Sequence, residues 1–208
     1  MISGPETPRL PPRRRALLAV LLLAVPARLA RAQIGAQNGP WDLARLMAAL
    51  RGVRVAEARF EESRRIGLLN QTLRSSGQLS YRAPDRLEKL TTAPQASRVA
   101  LIGDLLTIEQ PDAPARTIAL GQMPQIGALV GAVRWTLSGD LPALSAAFVV
   151  SLAGDSAGWT LELVPREASV RELVRQVVIS GVGVSLRAVR TEQADGDRDD
   201  MTILPDPP

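Results

Sequence analysis

Cysteine and histidine are both absent from the 208 residues, lysine occurs once, at Lys89, and aromatic residues make up only 3% of the chain. Without cysteine there are no disulfides, no thiol nucleophile and no lipid-modified N-terminal cysteine. Without histidine, Ser-His-Asp and Cys-His catalysis are excluded and the commonest metal-binding side chain is missing. The aromatic residues are Trp41, Phe60, Tyr81, Trp135, Phe148 and Trp159, too few and too scattered for a platform that stacks nucleic-acid bases. The net charge of +4 points to a basic protein, yet six of the 25 basic residues and only one of the 21 acidic ones fall within residues 1–32, leaving 19 against 20. The basic character belongs to the first segment, and no nucleic-acid partner is expected.

That segment has the parts of an export signal. Arg13, Arg14 and Arg15 form a basic start, residues 16–25 form an apolar run, and Ala30-Arg31-Ala32 is a small-x-small processing site. The apolar run is well short of the roughly 20 residues that cross a bilayer. Residues 1–32 are therefore expected to be a signal peptide removed after Ala32, and residues 33–208 a single domain. An exported chain without disulfides must be held together by its core.

Residues 41–51 repeat Trp41, Leu43, Leu46, Met47 and Leu50 at helical spacing, behind Pro40 and ahead of Gly52, which predicts an amphipathic helix. From Val53 the period falls to two, with Ala56, Ala58 and Phe60 on one face and Glu57, Arg59 and Glu61 on the other. Strands are expected at 73–82, 86–92, 97–102, 105–110 and 116–120, each bounded by Pro, Gly or Asp. Such close spacing leaves no room for parallel crossovers and predicts an antiparallel meander. Ile126, Leu129, Val130 and Val133 then follow at i, i+3, i+4 and i+7, a short apolar helix after Pro124. Gly127 and Gly131 weaken it by up to about 1 kcal/mol each relative to alanine. Residues 140–148 add another helical turn or two, and strands resume at 148–153, 159–164, 174–180, 184–192 and 201–204. Residues 194–200 hold four aspartates but lack the spacing and terminal glutamate of an EF-hand, so a solvated hairpin tip is expected there and no metal site. The fold class is mainly β with helices, α+β, built on a curved antiparallel sheet.

Residues 77–94 together with 102–111 resemble the periplasmic outer-membrane lipoprotein carriers of the LolA type. Gly77, Leu79, Tyr81, Pro84, Pro94, Asp104 and Pro111 sit at the matching places. The resemblance implies an incomplete barrel closed by short helices, with an apolar interior that accepts acyl chains. It implies no cofactor, a lipid or lipoprotein cargo, an inner-membrane donor complex, an outer-membrane acceptor and a monomer in the periplasm. On that reading the interior is lined by Phe60, Leu79, Tyr81, Leu87, Val99, Leu101, Leu106 and Ile108, with Ile126, Leu129, Val130 and Val133 from the covering helix. Any sandwich or barrel would bury the same residues, so a solid core stays open. Two departures are visible: carriers of this type have an arginine directly before the first turn proline, where this chain has Ala83, and Leu87, Lys89, Ile108 and Gln110 occupy positions often aromatic in them. Arg82 is one residue too early and is expected to point away from the interior.

Two other classes compete with a carrier. One is a binding or sensor module that uses the same half-barrel for a protein or glycolipid partner. The other is an enzyme using Lys89 with Glu88, or paired carboxylates among Asp85, Glu88 and Asp104. No serine sits in a nucleophile elbow, and adjacent Lys-Glu side chains are usually a solvated pair, so no catalysis is expected.

Overall fold

The structure is a computed structural model that describes residues 41–67 and 71–205; the expected signal peptide lies outside them. Helix α1 (Leu43–Arg51) begins where the Asp42 carboxylate accepts a hydrogen bond from the Arg45 amide at 2.8 Å, an N-cap that satisfies one of the first-turn donors. Its buried face is Leu46, Met47 and Leu50. Strands β1 (Val55–Ile66), β2 (Gln71–Arg82), β3 (Arg86–Ala93), β4 (Ser97–Ile102), β5 (Leu105–Gln110) and β6 (Ala113–Ala119) follow, then a 3-10 turn (Leu120–Gln122), α2 (Pro124–Ser138) and α3 (Leu141–Ala147). The chain finishes with β7 (Phe148–Asp155), β8 (Gly158–Pro165), α4 (Ala168–Arg171), β9 (Val174–Val182), β10 (Ser185–Gln193) and β11 (Arg198–Pro205).

These strands form one 11-stranded sheet in the order β6-β5-β4-β3-β2-β1-β11-β10-β9-β8-β7. The last strand pairs antiparallel with the first, Phe60 opposite Ile203 and Arg64 opposite Asp199. This pairing joins two meanders into one surface. Strands β6 and β7 remain edges, so the barrel is incomplete, as expected for the fold class.

Register decides which residues share a face. The pairs Ala58↔Leu79, Tyr81↔Leu87, Leu87↔Leu101, Leu101↔Leu106 and Val99↔Ile108 place all of these side chains on one side of the sheet with Phe60. Through Glu62↔Met201 and Met201↔Val189 the same side continues to Ile179, Leu161 and Leu152. We call it the inner face. Leu46, Met47 and Leu50 of α1, Ala132 of α2 and Leu144 of α3 pack against its β7–β9 end.

The helix expected at 126–133 extends over Pro124–Ser138, with proline in its first turn and Gly139 at φ 64° ending it in the left-handed region. The second glycine allows close packing, since a Cβ on Gly131 would lie 2.6 Å from the Trp135 ring. Two expectations are corrected, and one element is added. Strand β6 starts at Ala113 and not Arg116, because an edge strand can turn the missing N–H of Pro114 outward. The acidic hairpin tip is shorter than expected: Arg198, Asp199 and Asp200 belong to β11, where Arg64 and Arg190 neutralise the two carboxylates. The single turn of α4 has too few residues to leave a periodic signal.

Strands β2 and β3 approach closely at the register shift beside Gly77, where a Cβ would collide with the Leu90 carbonyl. Gly77→Ala is expected to destabilise the fold by about 2–3 kcal/mol, read from the urea midpoint; an unchanged midpoint would contradict this account of the β2–β3 contact.

Candidate functional site

The inner face is sealed at one end and half-open at the other. Over β7–β9, Leu161, Leu163 and Ile179 are 0% exposed within a continuous core that includes Trp159, Phe148 and Val177. Over β3–β5 a small buried cluster of Leu101 and Leu106, closed by Leu120 from the 3-10 turn, has Leu87, Val99, Ile108, Ile126 and Val130 packed against it, and these keep part of their surface open. Seven of the twelve expected lining residues therefore meet in one cluster. Phe60 and Tyr81 are buried on neighbouring strands, and Leu79 between them is half-buried. Val133 is half-buried outside the cluster, and Leu129 is 36% exposed. Helix α2 meets the sheet along its 126/130 row, so Leu129, on the flank of that row, turns outward. Leu120, expected at the end of a strand, closes the cluster from the 3-10 turn.

Helix α2 is held unevenly. The backbone comes close to α1, α3, α4, β9 and the 3-10 turn, and Ala132 and Thr136 are fully buried. Toward its N-terminus it rests on the sheet through Ile126 and Val130. One polar clasp crosses to the meander: Arg134 donates to the Gly103 carbonyl at 2.6 Å and to the Asp104 carboxylate at 2.9 Å, both in the β4–β5 turn.

Away from this turn the inner face becomes charged. Lys89 donates to both carboxylate oxygens of Glu62 at 2.6 and 2.7 Å, Ser75 adds a third bond at 2.7 Å, and the Lys89 ammonium sits 4.8 Å from the Phe60 ring centroid. Burial alone would raise the Glu62 pKa, but the Lys89 and Ser75 hydrogen bonds and the Lys89 charge outweigh it and hold the carboxyl below its ordinary value. Arg64 pairs with Asp199 at 2.7 Å, yet burial, aided by the nearby Glu62 charge, keeps the Asp199 carboxyl above its ordinary value. The expected solvated pair of Lys89 with Glu88 is corrected. Neighbouring strand residues face opposite ways, so Lys89 turns inward while Glu88 bonds Arg98 on the outer face at 2.8 and 3.0 Å. Asp104 is likewise taken by Arg134, so Glu88 and Asp104 serve separate arginines.

A cleft of about 470 Å³ opens between the end of α1, the β2–β3 turn and the second half of α2. Arg51, Arg54, Asp85, Arg134, Ser138 and Asp140 give it polar walls, and Tyr81, Ala83, Pro84 and Trp135 complete it. Tyr81 is 3% exposed and its hydroxyl is buried without a hydrogen-bond partner. Burial raises the Tyr81 pKa, with Arg54 lowering it and Asp85 raising it. Arg54 and Asp85 thus act on the hydroxyl with opposite charges.

Residues 36–205 match the family of outer membrane lipoprotein carrier proteins described as LolA-like. The chain belongs to this family. No curated protein is similar enough in sequence to match. Similar solved structures include a LolA superfamily protein from Nitrosomonas europaea, at 12% identity and a TM-score of 0.41, covering 78% of this chain and 93% of that one. Another is a DUF1329 family protein from Desulfovibrio piger, at 11% identity and a TM-score of 0.46, covering 79% and 91%. Membership rests on the match over residues 36–205.

Within this LolA-like chain, Arg82 is exposed and by register lies on the outer face, while Tyr81 turns inward, as the alternation required. The polar tie between helix and sheet comes from the helix itself, through Arg134. At the charged end, Lys89→Met is expected to cost about 1–2 kcal/mol at neutral pH, because it strands a largely buried Glu62 carboxylate. Glu62 titrates below its unfolded value in the folded wild type, so the pair's contribution is complete above the ordinary glutamate range and is lost as pH falls through the folded value. The gap between wild type and variant, read from urea midpoints, closes at acid pH; a gap that does not change with pH would contradict the assignment.

Proposed function

We propose that this LolA-like protein is a periplasmic carrier that takes the acyl chains of a lipid or lipoprotein onto the half-open end of its inner face and moves them toward the outer membrane. One observation carries the reading: a single sheet face is sealed over β7–β9 and left half-open over β2–β5. The proposed lining is the β1–β5 set from Phe60 to Ile108, with Ile126, Val130 and Val133 above it; Leu129 joins it when the helix moves. Removal of residues 1–32 would release the mature chain into the periplasm. Among the described residues no helix is long and apolar enough to cross a membrane.

Energetics favour exchange of the helix for a ligand. Each buried methylene is worth about 0.8 kcal/mol, so a chain of about sixteen carbons gains on the order of 12 kcal/mol. Lifting Ile126 and Val130 off the sheet costs at most about 3–6 kcal/mol, two side chains at about 1.5–3 each. The surplus retains a lipid tail, and it is large enough that release needs an acceptor that binds the cargo more tightly. Such an acceptor at the outer membrane, and a donor complex at the inner membrane, complete the proposed cycle. In this reading the chain works as a monomer and without catalysis; of the candidate groups, Lys89, Glu88 and Asp104 are engaged in ion pairs and Asp85 lines the cleft.

Protein purified from the periplasm is expected to yield about one acyl lipid per molecule on organic extraction and mass spectrometry. Leu79→Gln, which puts a polar group on the open lining, is expected to weaken binding of a sixteen-carbon fatty acyl probe by about tenfold, or 1.4 kcal/mol. A lipid-free protein that also fails to bind the probe would remove the carrier reading.

A further inference from the structure

We propose that the cleft containing Arg54, Tyr81 and Arg134 is a subsite for the anionic group of the carried molecule, an oxyanion such as a phosphate. The proposal rests on the carrier reading and adds to it the chemical class of the cargo: an amphiphile whose charged group enters the cleft while its tail lies on the β2–β5 lining.

The case begins with a hydroxyl. Buried polar atoms nearly always have partners, yet the Tyr81 hydroxyl, on a side chain 3% exposed, has none. Tyr81 lines a cleft of about 470 Å³, large enough for a head group. Beside it, the Arg54 guanidinium has no hydrogen-bond or ion-pair partner among the described residues, although it acts electrostatically on that hydroxyl. The other two guanidiniums are positioned by backbone: Arg51 donates to the Gly139 carbonyl at 2.8 Å and Arg134 to the Gly103 carbonyl at 2.6 Å. Each uses only part of its five N–H groups this way. Of the two carboxylates in the walls, Asp140 caps α3 through the Ala143 amide at 3.1 Å and Asp85 acts on the hydroxyl as a negative charge, so three guanidiniums outnumber two carboxylates. A donor hydroxyl and an unpaired guanidinium on residues of one cleft, with Arg51 and the Asp104-paired Arg134 in the same walls, form a charge-assisted site for an oxyanion.

Continuity with the lining makes the occupant amphiphilic. Tyr81 belongs to both surfaces: it lines the cleft, and by register it stands opposite Ala56 and Leu87 on the inner face. Leu79 follows two residues along the same strand face, about 7 Å away. A group held at the hydroxyl therefore delivers its tail directly onto Leu79, Leu87 and Leu101.

Tryptophan fluorescence titration of the purified protein with dodecyl phosphate, dodecanol and inorganic phosphate tests this. Dodecyl phosphate is expected to bind at least about tenfold more tightly than dodecanol. Arg54→Gln, which removes no existing hydrogen bond and lies outside the acyl lining, is expected to erase most of that difference, to leave dodecanol binding within about twofold and to keep the thermal midpoint; Tyr81→Phe is expected to narrow the difference as well. Equal binding of the two alkyl probes by the wild type overturns the subsite and leaves the carrier intact. So does a phosphate preference that survives both substitutions. Inorganic phosphate binding with no response to either alkyl probe supports an oxyanion site but overturns its service to a lipid tail, and the carrier reading with it. No response to any probe overturns both.

Discussion

Eleven strands in one open sheet present a longer inner face than the short helices can cover, since α2, the longest, has 15 residues and most of its anchoring lies toward β9. Everything specific to the molecule depends on how this shortfall is distributed. At the β7–β9 end, α1, α3, α4 and the second half of α2 converge, and side chains there interdigitate as in an ordinary core. At the β2–β5 end a single row of α2 touches the sheet, and Leu79, Leu87, Val99 and Ile108 remain partly exposed around the buried Leu101 and Leu106. Pairing of β11 with β1 is what makes the two ends one structure, so the sealed core supports the open face.

The open region has chemical limits on both sides. At one limit Lys89, Glu62, Arg64 and Asp199 turn the inner face polar; at the other, the arginine-walled cleft begins at Tyr81. Tyr81 and Gly77, opposite Thr91 and two residues beyond the Leu79↔Lys89 pair, are four residues apart, about 13 Å along the strand. An apolar field bounded by charge at one end and by oxyanion donors at the other suits an amphiphile lying in one direction. Arg134 sits where cleft and helix meet, since it bonds the β4–β5 turn and also lines the cleft. On the proposed reading, an anion that competes for its guanidinium would loosen the helix it holds.

Much of this was legible in the amino-acid order. Period-two alternation in residues 55–82 and closely spaced turn residues dictated an antiparallel meander, and register then placed Phe60, Leu79, Tyr81, Leu87, Val99, Leu101, Leu106 and Ile108 together on one face. The inward turn of Lys89 had a signal as well: it shares parity with Leu87, so the alternation that selected Leu87 also selected Lys89. Its partner Glu62 lies 27 positions earlier on a different strand, and only strand order brings the two together. Leu120 was assigned to a strand because nothing local distinguishes the end of β6 from a single 3-10 turn. The Arg134 clasp and the cleft join segments from four parts of the chain, a geometry that no local pattern encodes.

Amide hydrogen exchange on α2 measures the central claim most directly, because the Gly127 amide is hydrogen-bonded to the Met123 carbonyl at 2.9 Å and can exchange only when the helix opens. The account predicts that amides at 127–131 exchange at least about tenfold faster than those of β8 and β9 in the ligand-free protein and slow markedly when a sixteen-carbon acyl ligand is added. Protection of 127–131 equal to that of β9, unchanged by the ligand, would mean that the helix and the whole inner face form one solid core.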